Sequence, residues 1–549
     1  MFFICKNKIL MINWLYKATL KTIAIVDLFH KFFDFMQKKS GHIVKGMAYI
    51  HNPLYPFLIL ILSSVTSLSF LVHNPMHYLI FDDSYITLKF ASNFFRYHGI
   101  TFDGTHYLVG ATSPLHIIFV ALLGLFFKME TASLVVGIVF FVFSSALVYL
   151  WTFKIYKEQV IALLAGVLMS TNGWLIFDAL NGLETTMFIC LSILTFYLFY
   201  AYERKVFYTI PLFLSILTRP EGWFLASALW LWLMVQYSVK KDPTFLRCLT
   251  HSLVIFILLT IPYSLLFFYY TGSIVTSTAY TKAIFFGEVG APVIKKVISF
   301  VKSLFLFYKI MLYDLPIVIL PLIVFAKRIL SITYLWFYYL IFYLFYFLLF
   351  PGAIAQYWCR YQHIFIPLLT MAICGGVYEL LKKCRRKSLQ SIMAVLIMIS
   401  LIFNQTISFL NGKKTYSGAT TCTRNVMIEL ALWLKYHTPP DSLIALHDIG
   451  AVGYFSDRKI VDLVGLTNPE ITKYYLDKNH RRILPLNKRE ILEYLKEKRP
   501  NFLVMFPIWD KYFNFFSPDT QVHFEHIYSS PPLFPMGGGY KVFKCNWYD

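Results

Sequence analysis

Long apolar runs separated by short charged breaks fill the chain between residues 54 and 410. Runs near 54–72, 131–153, 159–178, 184–202, 206–218, 222–238, 246–270, 313–326, 331–350, 361–381 and 389–410 reach or approach the roughly 17–25 residues a helix needs to cross a bilayer. A twelfth, at about 113–127, is opened by Thr112-Ser113-Pro114-Leu115. Between the first two runs, Phe81-Asp82-Asp83-Ser84-Tyr85-Ile86-Thr87 begins a short amphipathic stretch that stops at His98-Gly99. A second amphipathic stretch covers 292–310, with Lys295, Lys302 and Lys309 on one stripe, which predicts a helix lying on a membrane face. An anionic lipid phosphate or plain solvation accounts equally for that stripe.

Beyond residue 410 the texture changes. Charge rises, Pro439, Pro440 and Pro500 break the pattern, and helical period (424–436, 486–498) alternates with strand-like runs (442–446, 460–463, 502–506). The alternation predicts a small α/β domain over 411–549, following a helical membrane domain over 51–410. Gly450 and Gly453 lack dinucleotide-binding spacing, so no nucleotide site is expected. Residues 1–50 are basic and amphipathic, without a short apolar core followed by a small-residue cleavage site, and are expected to be an extension or an interfacial helix.

Composition sharpens this. The chain is 58% hydrophobic and only 14% charged, which places it with polytopic membrane proteins. Its net charge of +21 would suggest nucleic acid in a soluble protein. Here many basic residues fall in short breaks between apolar runs, so topology and anionic lipid account for them, and nucleic acid is excluded as a partner. Basic clusters at Lys154/Lys157, Arg204/Lys205, Lys240/Lys241/Arg247, Lys327/Arg328 and Lys382–Lys387 are expected on the cytoplasmic side. The runs then pair as about 11 spans, with the N-terminus inside, the C-terminus outside, and 113–127 a re-entrant or surface helix. The eight cysteines include no C-x-x-C pair, so no structural zinc is expected.

The same topology gathers five polar sets on the outer side, in loops 73–130 and 271–312 and at helix ends. They are Asp82/Asp83, Asn181-Gly182-Leu183-Glu184, Thr218-Arg219-Pro220-Glu221-Gly222, Thr278-Ala279-Tyr280-Thr281-Lys282 within the loop, and Arg360-Tyr361-Gln362-His363. Ionisable groups converging on one face mark a candidate site. Bland explanations stand beside this. An Asp N-caps the helix it opens, Glu184 sits at a helix start where the dipole favours a carboxylate, and Arg219 pairs with Glu221 at a break. One cap accounts for one carboxylate of the Asp82/Asp83 pair and not for two.

These residues resemble those of the GT-C superfamily of membrane glycosyltransferases, over roughly residues 54–545. The resemblance is to the arabinofuranosyltransferase branch and its protein-mannosyltransferase and aminoarabinose-transferase relatives. It rests on Asp82-Asp83-Ser84-Tyr85-Ile86, Gly110-Ala111-Thr112-Ser113-Pro114-Leu115, Gly182-Leu183-Glu184-Thr185, Arg219-Pro220-Glu221-Gly222, Thr278-Ala279-Tyr280-Thr281-Lys282, and Asp448-Ile449-Gly450-Ala451 with Asp462-Leu463-Val464-Gly465-Leu466. It implies a hexosyl- or pentosyltransferase using a polyprenyl-phosphate-linked donor at the outer face of the bacterial cytoplasmic membrane, with a periplasmic C-terminal domain and a glycan, lipid or protein acceptor. Asp82 matches the first acid of the family's pair and is the expected general base, with Asp83 its partner. Lys282 and Arg360, joined by Arg219 and Tyr280, are expected at the donor phosphate. Glu184, Glu221, His363, Thr112 and Ser113 are expected to contact substrate. Transfer by direct attack needs one base and cations at the leaving phosphate, and inverts the anomeric centre. A lipid monophosphate leaving group requires no cofactor and no metal, although Asp82 and Asp83 have the chemistry to bind a divalent ion.

The alternative from another class is a polytopic transporter or lipid flippase. Transporters commonly show internal repeats and ionisable groups near the bilayer midplane. This chain shows no repeat, and its polar sets lie at helix ends.

Overall fold

Helices follow the apolar runs in the computed structural model, which describes residues 54–72, 74–202, 206–274, 276–286, 292–314, 319–351, 354, 356–475, 488–513, 515–516, 522–532 and 538–547. The expected N-terminal extension at 1–50 lies outside them. The chain divides into two compact units, Met1–Tyr55 and Pro56–Asp549. In order the helices are α1 (Leu54–Leu71), α2 (Asp82–Arg96), α3 (Pro114–Gly124), α4 (Met129–Tyr156), α5 (Gln159–Thr171), α6 (Gly173–Ala179), α7 (Thr185–Ala201), α8 (Thr209–Ile216), α9 (Gly222–Lys240) and α10 (Pro243–Thr271). There follow α11 (Ser277–Phe286), α12 (Val293–Asp314), α13 (Ile319–Val324), α14 (Lys327–Leu330), α15 (Thr333–Leu349), α16 (Phe365–Lys383) and α17 (Lys387–Cys422).

Six helices among the described residues are long and apolar enough to cross a membrane, or seven if a bent pair counts as one span. The protein is therefore a multi-pass membrane protein. Of the four remaining expected spans, α7 and α15 have 17 residues each and α8 has 8, while the run at 313–326 lies partly outside the described residues and shows the 6-residue α13. Helices form at both stretches expected to lie on a membrane face, as α3 and α12. Basic residues close two spans: Lys157 and Lys241 end α4 and α9 in the left-handed conformation, φ 61° and 54°. Cations there meet the negative end of the helix dipole.

The bent pair replaces the single span expected at 159–178. α5 and α6 meet at 57°. Asn172 causes the break, because its side chain accepts from the N–H groups of Trp174 and Leu175, both at 3.1 Å, and so caps a new helix. Gly173 then lies against α17, where a Cβ would come 2.0 Å from the Ser408 carbonyl oxygen. Gly173→Ala is expected to cost about 1–3 kcal/mol by overpacking. Gly418→Ala, on the same long helix with nothing within 4 Å of its Cβ position, is the control. Thermal unfolding of the two variants in one detergent compares them.

The helix that begins as α17 does not stop where the composition changes at residue 411. It runs through a π-helical turn, Thr423–Ile428, into α18 (Glu429–His437), 51 residues in all. At 1.5 Å per residue that is about 77 Å, against a hydrocarbon core of about 30 Å. The excess carries the chain on into the C-terminal part. Backbone i→i−4 bonding is indifferent to the polarity shift that marks a boundary in the sequence.

The C-terminal part is a five-stranded sheet in the order β2-β1-β3-β5-β4, with β1 Leu443–Leu446, β2 Lys459–Asp462, β3 Phe502–Met505, β4 Val522–Ser529 and β5 Lys541–Trp547. β1 is parallel to β2 and β3, and β5 is antiparallel to β3 and β4. Its longer helices are α19 (Ile449–Phe455) and α20 (Lys488–Lys498). Successive side chains of a strand face opposite sides, and both sides are buried here. Ile444, Leu446, Phe502, Val504 and Val542 join the core shared with the membrane helices. Ala445, Leu503, Met505 and Phe543 join a second core with Ile491 and Leu495 of α20.

Candidate active site

α2 opens without a cap from either of its acids: its N-cap is Phe81, and no side chain bonds there. The two carboxylates diverge instead. The Gly450 N–H donates to Asp82 Oδ2 at 2.7 Å and the Ala451 N–H to Oδ1 at 2.8 Å. Asp82 thus caps α19, a helix 368 residues further along the chain. Asp448 is the N-cap residue of α19 by position, yet its side chain makes no cap bond. It accepts from Tyr540 Oη and lies 3.0 Å from His447 Nδ1. The Phe506 N–H donates to His447 Nε2 at 2.9 Å, which puts the imidazole proton on Nδ1, facing Asp448. Burial and the nearby Asp448 charge raise the Asp82 pKa, opposed by the two backbone N–H groups. The His447 and Tyr540 donors keep that of Asp448 below its usual range despite burial.

Asp83 faces the other way. Tyr357 Oη donates to Asp83 Oδ2 at 3.1 Å. Near it is Lys282 on α11, whose ammonium donates to Tyr361 Oη at 3.2 Å. Burial works against the Lys282 charge, but Tyr361 and Asp83 beside it raise its pKa above the usual lysine value. Arg360 is 4% exposed, and its Nε and Nη1 have no hydrogen-bond partner among the described residues. Its guanidinium lies over the rings of Tyr357 and Tyr361, at 5.2 and 5.3 Å from their centroids. An unpartnered buried guanidinium is costly unless an anion completes it.

Arg219 differs. Nη1 donates to Glu184 Oε1 at 2.9 Å, while Nε and Nη2 donate to Glu221 at 3.2 and 2.5 Å. Tyr346 Oη adds a bond to Glu221 Oε1 at 2.7 Å. All three guanidinium nitrogens are engaged in a buried triad. Arg219, expected at the donor phosphate, and Glu184 and Glu221, expected at substrate, therefore bond to one another.

His363, also expected at substrate, is wholly buried. Its Nε2 lies 3.0 Å from the Trp358 carbonyl, which only accepts, so Nε2 carries a proton. Its Nδ1 is 2.6 Å from Asp178 Oδ2. Trp358 is the middle of three successive left-handed residues, with Tyr357 at φ 51°, Trp358 at 57° and Cys359 at 64°. Each costs about 1–2 kcal/mol for an L-residue. Phe81 packs on Tyr357 at 4.4 Å and Phe177 on Trp358 at 5.4 Å, and with His363 they hold the turn that delivers Tyr357 and Arg360. Thr112 and Ser113 enter α3, which the Leu115 N–H ties to the Leu217 carbonyl beside the Arg219 turn. Tyr280 lies on α11, with its side chain outside the described residues.

Sequence reasoning missed Asp178, Tyr357 and Tyr361 as members of the cluster, and His447 and Tyr540 behind it. Tyr361 stands in a motif already singled out, between Arg360 and Gln362. The others carry no local signal, because each matters only through a partner far away in the chain. No group of three or more His, Cys, Asp or Glu residues is placed to hold a metal ion among the described residues.

Residues 415–543 match a family described as a domain of unknown function (DUF8728). No curated protein matches the chain in sequence. In structure it is similar to ArnT from Cupriavidus metallidurans in the apo state, with TM-score 0.56 and 12% identity over 88% of this chain and 97% of that one. ArnT bound to undecaprenyl phosphate gives TM-score 0.55 at the same identity and coverage. The Archaeoglobus fulgidus oligosaccharyltransferase gives 0.54 and 14% identity over 88% of this chain and 72% of that chain. The chain shares the fold of these proteins; here it is a polytopic helical membrane domain carrying a C-terminal α/β part.

Proposed function

We propose that the protein is a glycosyltransferase that moves a sugar from a polyprenyl-phosphate-linked donor to an envelope glycan, lipid or protein acceptor. The reaction takes place at the outer face of the bacterial cytoplasmic membrane, with the C-terminal part in the periplasm. The observation that carries this is Arg360: a buried guanidinium with two nitrogens unpartnered among the described residues, in one cluster with Lys282 and Asp83. ArnT, which shares the fold, binds undecaprenyl phosphate, a lipid phosphate of the kind this pair of cations suits.

Asp83 rather than Asp82 is the base in this proposal, because Asp82 spends both oxygens on α19. The acceptor hydroxyl gives its proton to Asp83 while its oxygen bonds to the anomeric carbon. The bond from that carbon to the phosphate oxygen breaks, and the departing phosphate carries its charge to Lys282 and Arg360. One displacement of this kind inverts the anomeric centre. Tyr357 Oη, donating to Asp83, fixes the carboxylate.

Lys282→Ala and Arg360→Met are each expected to weaken undecaprenyl phosphate binding by about 10- to 100-fold, the value of one charge-assisted bond. Protein purified into nanodiscs, titrated with that lipid and then supplied with radiolabelled polyprenyl-phosphate sugars, provides the test. Parental lipid affinity in both variants, together with no turnover of any lipid-linked sugar, would remove the proposal.

A further inference from the structure

The C-terminal part grips two helices of the membrane domain, and they are the two that carry the proposed acid and the lysine. On α2 the grip is Asp82, held by the Gly450 and Ala451 N–H groups at 2.7 and 2.8 Å. Tyr85, on the same helical face, packs on Tyr454 and Phe455 with centroids 5.8 and 5.2 Å apart. Contact is close enough that a Cβ at Gly450 would lie 1.9 Å from the Asp82 carbonyl oxygen.

On α11 the grip is a second face. Ser277 Oγ donates to the Leu466 carbonyl at 2.7 Å, and Thr281 Oγ1 to the Gly465 carbonyl at 3.0 Å. Ile284 belongs to the second core, with Leu463 and Ile471. Positions 277, 281 and 284 form one stripe of a helix. The receiving loop is shaped by a single buried carboxylate. Asp462 accepts from the Val464, Gly465 and Thr467 N–H groups at 2.9, 3.0 and 2.8 Å, turning the Gly465 and Leu466 carbonyls toward α11.

The geometry points to a function for this domain: it is a clamp that sets the separation between Asp83 and Lys282. On both helices the gripped residue directly precedes the site residue, Asp82 before Asp83 and Thr281 before Lys282. One helical step turns the side chain by about 100°, so one faces the domain and the next faces the site. Asp82, Thr281 and Asp462 are on this account positioning residues. The inference rests on Asp83 and Lys282 being the groups that meet substrate.

The test uses the full chain in nanodiscs, with hydrogen exchange across α2, α11 and β1 and with titration by undecaprenyl phosphate. S277A/T281V removes two bonds while keeping volume and charge. It is expected to speed exchange across α11 about tenfold and to weaken lipid phosphate binding about tenfold, with β1 unchanged. Gly450→Ala is expected to speed exchange across α2. Lys282→Ala is expected to weaken binding with α11 exchanging as in the parent. Parental exchange in α11, or faster exchange with parental affinity, in S277A/T281V overturns the clamp provided Lys282→Ala still binds weakly. Parental affinity in Lys282→Ala instead overturns the lysine's proposed role, and with it the ground on which the clamp stands.

Discussion

Asp83→Asn is expected to lower transfer by about 100- to 10,000-fold, the usual value of a general base, with the protein present at parental abundance. Asn keeps the size of the side chain and still accepts from Tyr357 Oη, but it cannot take the acceptor proton. Asp82→Asn is expected to behave differently. Its amide turns an N–H group toward one of the two N–H donors of α19, leaving that donor unpaired at about 1–3 kcal/mol. Stability should fall, and activity should fall only as far as the grip on α2 loosens. Transfer rate and unfolding temperature, measured on both variants, separate the roles. A dead Asp82→Asn of parental stability beside an active Asp83→Asn would return the base to Asp82, the assignment the sequence motif favours.

Arg219→Met is expected to destabilise the protein by about 3–5 kcal/mol, because it leaves Glu184 and Glu221 buried without their cation. Both are less than one-tenth exposed. Arg219→Lys should recover only part of the loss, since an ammonium cannot reproduce the fork that bonds Nε and Nη2 to one carboxylate and Nη1 to the other. Adding Glu221→Gln to Arg219→Met should restore some stability by removing one of the stranded charges. Thermal unfolding and membrane abundance report all three. Should Arg219→Met unfold at the parental temperature and lose only lipid phosphate affinity, Arg219 faces ligand and the triad account is wrong.

Much of the helical layout was legible because its cause is local. Apolar run length marked most of the membrane helices, an acid pair after the first run marked α2, and amphipathic period marked α12, whereas α11 stood in a stretch read as a polar loop. The strands at 443–446, 459–462 and 502–505 were signalled by short apolar runs between breakers. β4 and β5 were not. β4 is an edge strand in which only Val522 is buried, so few of its positions are selected for apolarity. The break in the run at 159–178 was missed because one Asn capping a new helix leaves hydropathy unchanged.

The candidate site divides in the same way. The sequence by itself determined which polar residues stand at helix ends among lipid-facing runs, since charge there is costly and shows against an apolar background. It also fixed the reservoir of cations, Lys282, Arg219 and Arg360, and of acids, Asp82, Asp83, Glu184 and Glu221. Which of these bond to one another depends on how the helices and the sheet come together. Asp82 finds its donors 368 residues away and His363 finds Asp178 at a separation of 185. Arg219 is satisfied by Glu184 and Glu221 while Arg360 is left open. Periodicity reports only whether a position is buried. The partner of a buried charge depends on helix crossings and on a sheet closing over them, and no residue's neighbours along the chain encode that.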